Sequence, residues 1–306
     1  MKKKILVIQG SKLNRINIKT DTTLFLVLEA QKINYQAYYY EPKDLSFLNG
    51  KIFAKCCQLI FFDNKKNFYK VQKIVNLNLS KADVILIRNE PPFNQQYINT
   101  TFMLEHIANQ VKIINHPKSI REVPEKLFSI RLAKYMPPTL ISENLSEIKN
   151  FFNKNKEVIV KPVNGYSGNK VILLKNFNYS IINRYLKNNC HVIFQKYLPK
   201  ISEGDRRVFI INGKVKGSIT RVPKKGSILS NMSKGAIPKT NKLTSKEYKL
   251  SLYIALILKK KNIYFAGIDF IKGKLIGDIN VTSPTGLVSY YELTKINLAK
   301  YFWDNI

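Results

Sequence analysis

Apolar and polar positions alternate along the chain with two different periods, and the changes of period mark out its elements. KKILVIQG and DVILIRNEPP are short, nearly continuous apolar runs that predict buried strands, the second running into a proline stop. Between them, TDTTLFLVLEAQKI carries apolar residues at helical spacing behind Thr and Asp capping signals. YQAYYYEP reads as a strand, and LNGKIFAKCCQLIFF as a hairpin turning at Asn49-Gly50. FNQQYINTTFMLEHIANQ is helical and VKIINHP strand-like, which completes a small α/β layer ending near Pro117. Beyond it, IREVPEKLFSIRLAKY predicts a helix, Pro137-Pro138 an extended start, and LSEIKNFFNKN a second helix. EVIVKPV and KVILLK flank a loop, and HVIFQKYLP closes a second, α+β unit. The remainder is mostly antiparallel strand, with a connecting helix near residues 245–259 and no internal repeat.

The segment YFAGIDFIKGKLIGDINVTSPT carries the most chemistry. It predicts two strands around a turn at Lys272-Gly273, with Asp269 opposite Ile276. Side chains alternate with period 2, so Asp269, Ile276, Asp278 and Asn280 then share one face. Two carboxylates and an amide on strands form a set of hard oxygen donors suited to Mg²⁺. The competing reading is a solvent-facing hairpin whose acids keep it soluble.

Composition narrows the field. With 306 residues, 45% of them hydrophobic and 23% charged, the chain is large enough for two or three subdomains with buried cores. The formal net charge of +31 would suit a nucleic-acid or anionic-membrane binder. However, the lysines are spread over the whole sequence and arginine is rare, a pattern that codon drift in an AT-rich genome explains equally well, and neither partner is expected. No apolar run approaches the ~20 residues of a membrane span, and the apolar part of MKKKILVIQG ends in Gln-Gly, as a first strand rather than a secretory signal. Cys56, Cys57 and Cys190 offer no disulfide framework and fit reduced thiols in a cytoplasm. His106, His116 and His191 lack ligand spacing, so zinc is not indicated.

Further residues fall into an ordered pattern. Lys161 ends the apolar strand VIVKP and precedes NGYSGN, a loop whose glycines Gly165 and Gly168 let backbone amides approach a phosphate, although such loops also serve as plain turns. QKYLP follows a strand and could supply an adenine hinge. Arg207 starts a strand, Arg221 lies in its partner GSITRVP, and Lys126 precedes them.

In that order, NHPKSIREVPEKLF, VIVKPVNGYSG, QKYLPKISEGDRRVFIINGKV, TRVP and GIDFI with DINVTSPT, together with NIKTDTT, VLEAQ and DVILIRNEPPF, closely resemble the bacterial glutathione synthetases of the ATP-grasp superfamily. The resemblance runs nearly end to end and implies an α/β and α+β chain: an ATP-grasp fold with an N-terminal Rossmann-like substrate domain. Its parts would be an N-terminal α/β domain over 1–121, a central ATP-grasp lid subdomain over 122–199 and a C-terminal ATP-grasp subdomain over 200–306. The implied reaction joins γ-glutamylcysteine and glycine through an acyl phosphate, yielding glutathione, ADP and phosphate. By the same resemblance Lys126 and Lys161 hold the ATP phosphates with Gly165 and Gly168, Gln195, Lys196, Tyr197 and Leu198 form the adenine hinge, and Asp205 contacts the ribose. Arg207 meets the γ-phosphoryl and acyl oxygens, Arg221 the tetrahedral oxyanion, and Asp269, Asp278 and Asn280 hold two Mg²⁺ ions, with Mn²⁺ as a substitute. Asn17, Lys19 and Arg88 would lie at the γ-glutamylcysteine end, and Ser283, Pro284 and Thr285 at the glycine end. A packing role beside Pro91 and Pro92 is the other reading of Arg88. A cytoplasmic homotetramer completes the expectation.

The chain also departs from the family pattern. Asp278 stands where glutamate is usual, in a hairpin one residue longer; NGYSGN is poorer in glycine; and PKKGSILSNMSKGAIP lacks the usual arginine and glycine run, with Leu229 near the arginine's place. Residues 224–237 are expected to form a mobile lid over the substrates. Two other readings stay open: another ATP-grasp carboxylate-amine ligase, of the D-alanine:D-alanine or glutamate ligase type, and a degenerate, non-catalytic ATP-binding protein.

Overall fold

A computed structural model describes residues 2–64, 66–189 and 191–306, and among these the strands form three sheets. The first sheet holds β1 (Lys4–Gln9), β2 (Tyr35–Tyr40), β3 (Leu45–Leu48), β4 (Lys51–Phe61), β5 (Tyr69–Asn78), β6 (Val84–Ile87) and β7 (Lys112–Ile114). Their order is β3-β4-β2-β1-β6-β7, with β5 on the other edge of β4. The β1–β2, β1–β6 and β6–β7 pairs are parallel, so this part of the sheet must be covered on both faces. Leu6 and Ile8 of β1 pack with Leu24, Leu26 and Val27 of the helix Thr22–Lys32, while Val7 packs with Leu104 and Ile120 from helices on the opposite face. A continuous apolar run is the signature of that double burial. The Asp21 carboxylate caps the first helix by accepting from the Leu24 amide at 2.6 Å.

The second sheet is antiparallel and contains β8 (Thr139–Ser142), β9 (Val158–Pro162), β10 (Ile172–Leu174) and β11 (Val192–Lys196), ordered β10-β9-β11-β8. Val158, Val160, Val192 and Phe194 pack against two helices, Leu145–Asn155 and Tyr179–Asn189, leaving Ile159, Lys161 and Gln195 on the other face. The third sheet contains β12 (Asp205–Ile211), β13 (Lys214–Val222), β14 (Ile237–Thr240), β15 (Phe265–Ile271) and β16 (Lys274–Asn280), in the order β14-β13-β12-β15-β16. Val208, Ile210, Ala266, Ile268 and Phe270 face the helix Ser245–Lys260. On the reverse face, Phe209, Ile211, Ile219 and Phe265 join Leu287, Tyr290 and Phe302 in a core shared with the first sheet. Buried Glu247 accepts from Arg206 and, at 2.9 Å, from the Gly273 amide, anchoring the β15–β16 turn to the N-terminus of that helix.

Two expectations need correction. The segment read as one helix over IREVPEKLFSIRLAKY is a helix Pro117–Glu122, a break, and a 3-10 stretch Phe128–Tyr135. Pro124 lacks an amide hydrogen and disfavours the helical region for Val123, which adopts φ −120° and ψ 61°. The break leaves Glu125 and Lys126 in a turn from which both reach the cleft. No element was expected for β5, for the helix Tyr179–Asn189, or for the C-terminal helices Leu287–Thr294 and Leu298–Trp303. Cys56 is buried, which pushes its thiol up to about 12, and Cys57 is half-buried; both are free, while Cys190 lies outside the described residues. No helix among the described residues is long and apolar enough to cross a membrane.

One side chain joins the first and third sheets. Asn115, directly after β7, is 3% exposed and uses its whole amide: Nδ2 donates to the carbonyls of Phe265 and Val281 at 2.7 and 2.6 Å, and Oδ1 accepts from the amides of Tyr264 and Phe265, both at 2.8 Å. Asn115→Leu should therefore strand several buried backbone groups and lower unfolding stability by about 3 kcal/mol or more. Urea unfolding of the two proteins measures this, and a loss below ~1 kcal/mol would mean that water replaces the side chain.

Candidate active site

The second and third sheets face each other across a cleft of about 440 Å³, closed at one end by the first sheet's loops. On β12, β13 and β15 the residues of one face divide the sheet lengthwise. Phe209, Ile211, Ile219 and Phe265 form the dry end, and Asp205, Arg207, Arg221 and Asp269 form the cleft end. Asp205 lies directly across the ladder from Arg221, and Arg207 from Asp269. Arg207 donates from Nε and, at 2.7 Å, from NH2 to the two oxygens of Asp269. Arg221 donates to both oxygens of Asp205, at 2.8 and 2.5 Å, and its NH2 also lies 2.9 Å from Asp269 Oδ2. Each guanidinium keeps NH1 outside these bonds. Burial pushes the Asp269 carboxyl up, but Arg207 and Arg221 outweigh it and hold the group below the usual carboxylate range. Gly267 makes room for Arg207, because a Cβ there would stand 2.8 Å from Arg207 Cδ.

The hairpin differs from the expected ladder at its most important point. Ile271 faces Lys274 and Phe270 faces Leu275, but the register then shifts, and Ile268 faces Ile279. Asp269 is consequently not paired with Ile276; a bulge containing Gly277, at φ +89°, lies across from it. The shift is by two residues, so the period-2 reading survives, and Asp269, Ile276, Asp278 and Asn280 all line the cleft. The bulge exposes the Ile276 carbonyl, which accepts from Lys161 Nζ at 2.8 Å.

The hard-oxygen donors suit Mg²⁺ in part. Asp278 Oδ1 is buried without a hydrogen-bond partner, 3.8 Å from Lys161 Nζ, and Asn280 Oδ1 has a 3.5 Å contact with Thr282 Oγ1. Asp269 differs, since both its oxygens are already engaged by arginines. Among the described residues no group of three or more His, Cys, Asp and Glu side chains is arranged to hold a metal.

The other expected residues are distributed unevenly. Lys126 lines the same cleft as Lys161 and donates to the Gly165 carbonyl, tying the turn to the loop that carries Gly168 at φ +70°. Gln195, Lys196, Tyr197 and Leu198 line the cleft together with apolar Ile159 and Ile201, and Gln195 donates to Thr139 at 2.8 Å. Asp205 was expected at the ribose, but it is 1% exposed with both oxygens committed to Arg221, so it orients that arginine. Arg88 is buried; its Nε donates to Thr23 Oγ1 at 3.0 Å, its NH2 donates to the Pro284 carbonyl at 2.9 Å, and its NH1 has no partner. Pro284 thus contributes through its backbone, while Ser283, Thr285 and Asn17 line the cleft. Lys19 is exposed and lies outside that lining.

Residues 228–233 also line the cleft. Ser230 hydrogen-bonds Asp205, and Lys234 Nζ donates to Asn169 Oδ1 at 2.8 Å, so this loop lies across the cleft against the glycine loop. Sequence reasoning missed Glu125, Thr23 and Ser230. Pro124 was the available signal for Glu125, because a broken helix frees both neighbouring side chains to point the same way.

Comparison with known proteins agrees with this architecture. Residues 4–121 match the family model for the prokaryotic glutathione synthetase N-terminal domain, and residues 125–295 that for its ATP-grasp domain. The chain is 38% identical over 303 residues to a glutathione synthetase of Buchnera aphidicola subsp. Baizongia pistaciae, covering 96% of this chain and 93% of that one. It is 34% identical to the Bradyrhizobium diazoefficiens glutathione synthetase, covering 98% and 96%. Among solved structures, D-cycloserine synthetase DcsG superposes with a TM-score of 0.67 at 13% identity, covering 98% of this chain and 97% of that one, a likeness of fold.

Burial pulls the Lys161 ammonium below its ordinary range, against the opposing charge of Asp278. The protonated form is the one that pairs with a phosphate, so magnesium-free ADP should bind more weakly as pH rises through that depressed value, below the ordinary lysine value of about 10.4. Asp278→Asn removes a charge that favours protonation and should move this loss to lower pH. Calorimetric Kd values between about pH 6 and 10 test it, and an unmoved profile would separate Asp278 from Lys161.

Proposed function

The chain belongs to the prokaryotic glutathione synthetase family, and from that premise we propose how its cleft divides the work of an ATP-dependent ligase. It is a glutathione synthetase, joining γ-glutamylcysteine to glycine at the expense of ATP. A carboxylate resists an amine because oxide is a poor leaving group. The cysteinyl carboxylate oxygen therefore attacks the γ-phosphorus, the bond to the β,γ-bridging oxygen breaks, and ADP leaves an acyl phosphate behind. The glycine amine then adds to the acyl carbon, the carbon–oxygen bond to phosphate breaks, and the amine proton passes to solvent.

Within this reading Lys126 and Lys161 neutralise ATP phosphates from two sides, and the loop with Gly165 and Gly168 presents backbone amides. The adenine lies against Ile159 and the segment Gln195, Lys196, Tyr197 and Leu198. Arg207 and Arg221, held rigid by Asp269 and Asp205, present NH1 to the transferring phosphoryl group and to the tetrahedral oxyanion. Asp278 and Asn280 would hold Mg²⁺, which would supply positive charge beside the transferring phosphate. A second ion, Mn²⁺ as a substitute, a cytoplasmic setting, a homotetramer, and the domain limits 1–121, 122–199 and 200–306 belong to the same reading. Arg88 NH1 takes a substrate carboxylate, with Asn17, Ser283 and Thr285 nearby, and residues 224–237 exclude water from the acyl phosphate.

The observation that carries this reading is the convergence in one cleft of Lys126, Lys161, Arg207 and Arg221 with the oxygen-bearing face of β16, beside a buried arginine NH1 without a partner. ADP should form only when γ-glutamylcysteine and Mg²⁺ are both present, and added glycine should convert this turnover into glutathione. Equal turnover with D-alanine as both substrates would overturn the choice of substrates. A second expectation concerns the shorter metal-site acid. A longer acid at 278 would push its carboxylate into the space shared by Lys161 and the bound phosphates, so Asp278→Glu should crowd the site and lower kcat about tenfold or more. A raised kcat or a lower Mg²⁺ requirement would instead mark Asp278 as a defect.

A further inference from the structure

Glu125 is a cleft-lining acid without an assigned role. It follows Pro124 in the turn that interrupts the helix, and its backbone carbonyl accepts from the Ile279 amide at 3.0 Å. Ile279 stands between Asp278 and Asn280, so this bond places Glu125 beside the two oxygen ligands of β16. Its carboxylate lies 3.8 Å from Lys126 Nζ, too far for a hydrogen bond, and Lys126 donates instead to the Gly165 carbonyl.

The acids around this point differ in how their charge is held. Asp269 is bonded by two arginines, whereas Asp278 and Glu125 each have only a lysine 3.8 Å away, and those lysines, Lys161 and Lys126, donate instead to the carbonyls of Ile276 and Gly165. Two carboxylates that line one cleft without a hydrogen-bonded cation are available to share a divalent ion. Here the strand acid is one methylene shorter than the glutamate usual in the family, and the acid beside it in the 124–126 turn is a glutamate. We propose that Glu125 is a ligand of the nucleotide-bound divalent metal, supplying from the 124–126 turn the reach that Asp278 lacks. This rests on the ATP-dependent reading of the cleft, and it concerns metal binding in a complex with product nucleotide, where no turnover is needed.

The test is Mn²⁺ binding to the protein saturated with ADP, read from the electron paramagnetic resonance signal of free Mn²⁺. Glu125→Gln, of nearly equal volume, should weaken Mn²⁺ binding about tenfold or more. ADP binding without metal should stay the same or tighten, since a negative charge near the phosphates is removed. Glu125→Asp should also weaken Mn²⁺ binding, because it withdraws the carboxylate by one methylene. Adding Asp278→Glu to Glu125→Gln should restore much of the affinity, as expected if the two acids share one ion. Unchanged Mn²⁺ affinity in Glu125→Gln would overturn the inference, as would wild-type protein that holds no Mn²⁺ with ADP. A loss of metal-free ADP binding in Glu125→Gln would also overturn it, assigning the residue to Lys126. Glutathione synthesis by the wild-type protein is a separate measurement, so failure of the ligase reading and failure of this one are distinguished.

Discussion

Two arginines and two aspartates lie side by side on one face of the third sheet, none more than 5% exposed. Charges removed from water in this way are tolerated only when each is paired with good geometry. The ladder supplies that geometry by setting Asp205 across from Arg221 and Arg207 across from Asp269. Much of the local design follows from it: Gly267 has no side chain because Arg207 lies over it, and the apolar half of the same face begins only where the charges end. The arginines are thereby held in place before any phosphate arrives, which is the condition for electrostatic stabilisation without reorganisation.

The cleft is completed from a distance. Arg88, at the end of the first sheet's β6 segment, donates to the carbonyl of Pro284, 196 residues away in sequence, and Thr22 accepts from the amides of Gly286 and Leu287. Asn115 and the bond from the Trp303 indole to the Leu26 carbonyl, 2.7 Å long, hold the same two bodies together. The end of the cleft with the unpartnered arginine NH1 therefore depends on contacts between domains, whereas the phosphate end is built from the second and third sheets.

Much of this was legible in the chain. Apolar runs located β1, β6, β9, β11, β12 and β15, and the period of the Asp269 hairpin correctly placed four residues on one face. Illegible elements lacked a decisive pattern: β5 is largely exposed, and the C-terminal helices are defined by what they cover. Lys19 and Asp205 were placed by motif alone. Motif spacing does not reveal that one side chain points outward and that the other is consumed by a neighbouring arginine.

The sequence by itself determined the fold class, the family and which residue types meet in the cleft, because period, turn residues and local motifs are properties of short segments. Register was decided only in the folded molecule. Counting back from the turn at Asn212-Gly213, a regular ladder would set Asp205 opposite Thr220. A bulge between Phe209 and Ile210 adds one residue to β13 and brings Arg221 there instead. At that bulge Lys216 stands 3.7 Å over the ring of Tyr301, and Gly217 leaves room for Tyr290. Both aromatic residues come from the C-terminal part of the chain. A one-residue slip turns a side chain to the other face of a sheet, and the contacts that select the slip lie some 70 to 90 residues away, beyond the range of any local pattern.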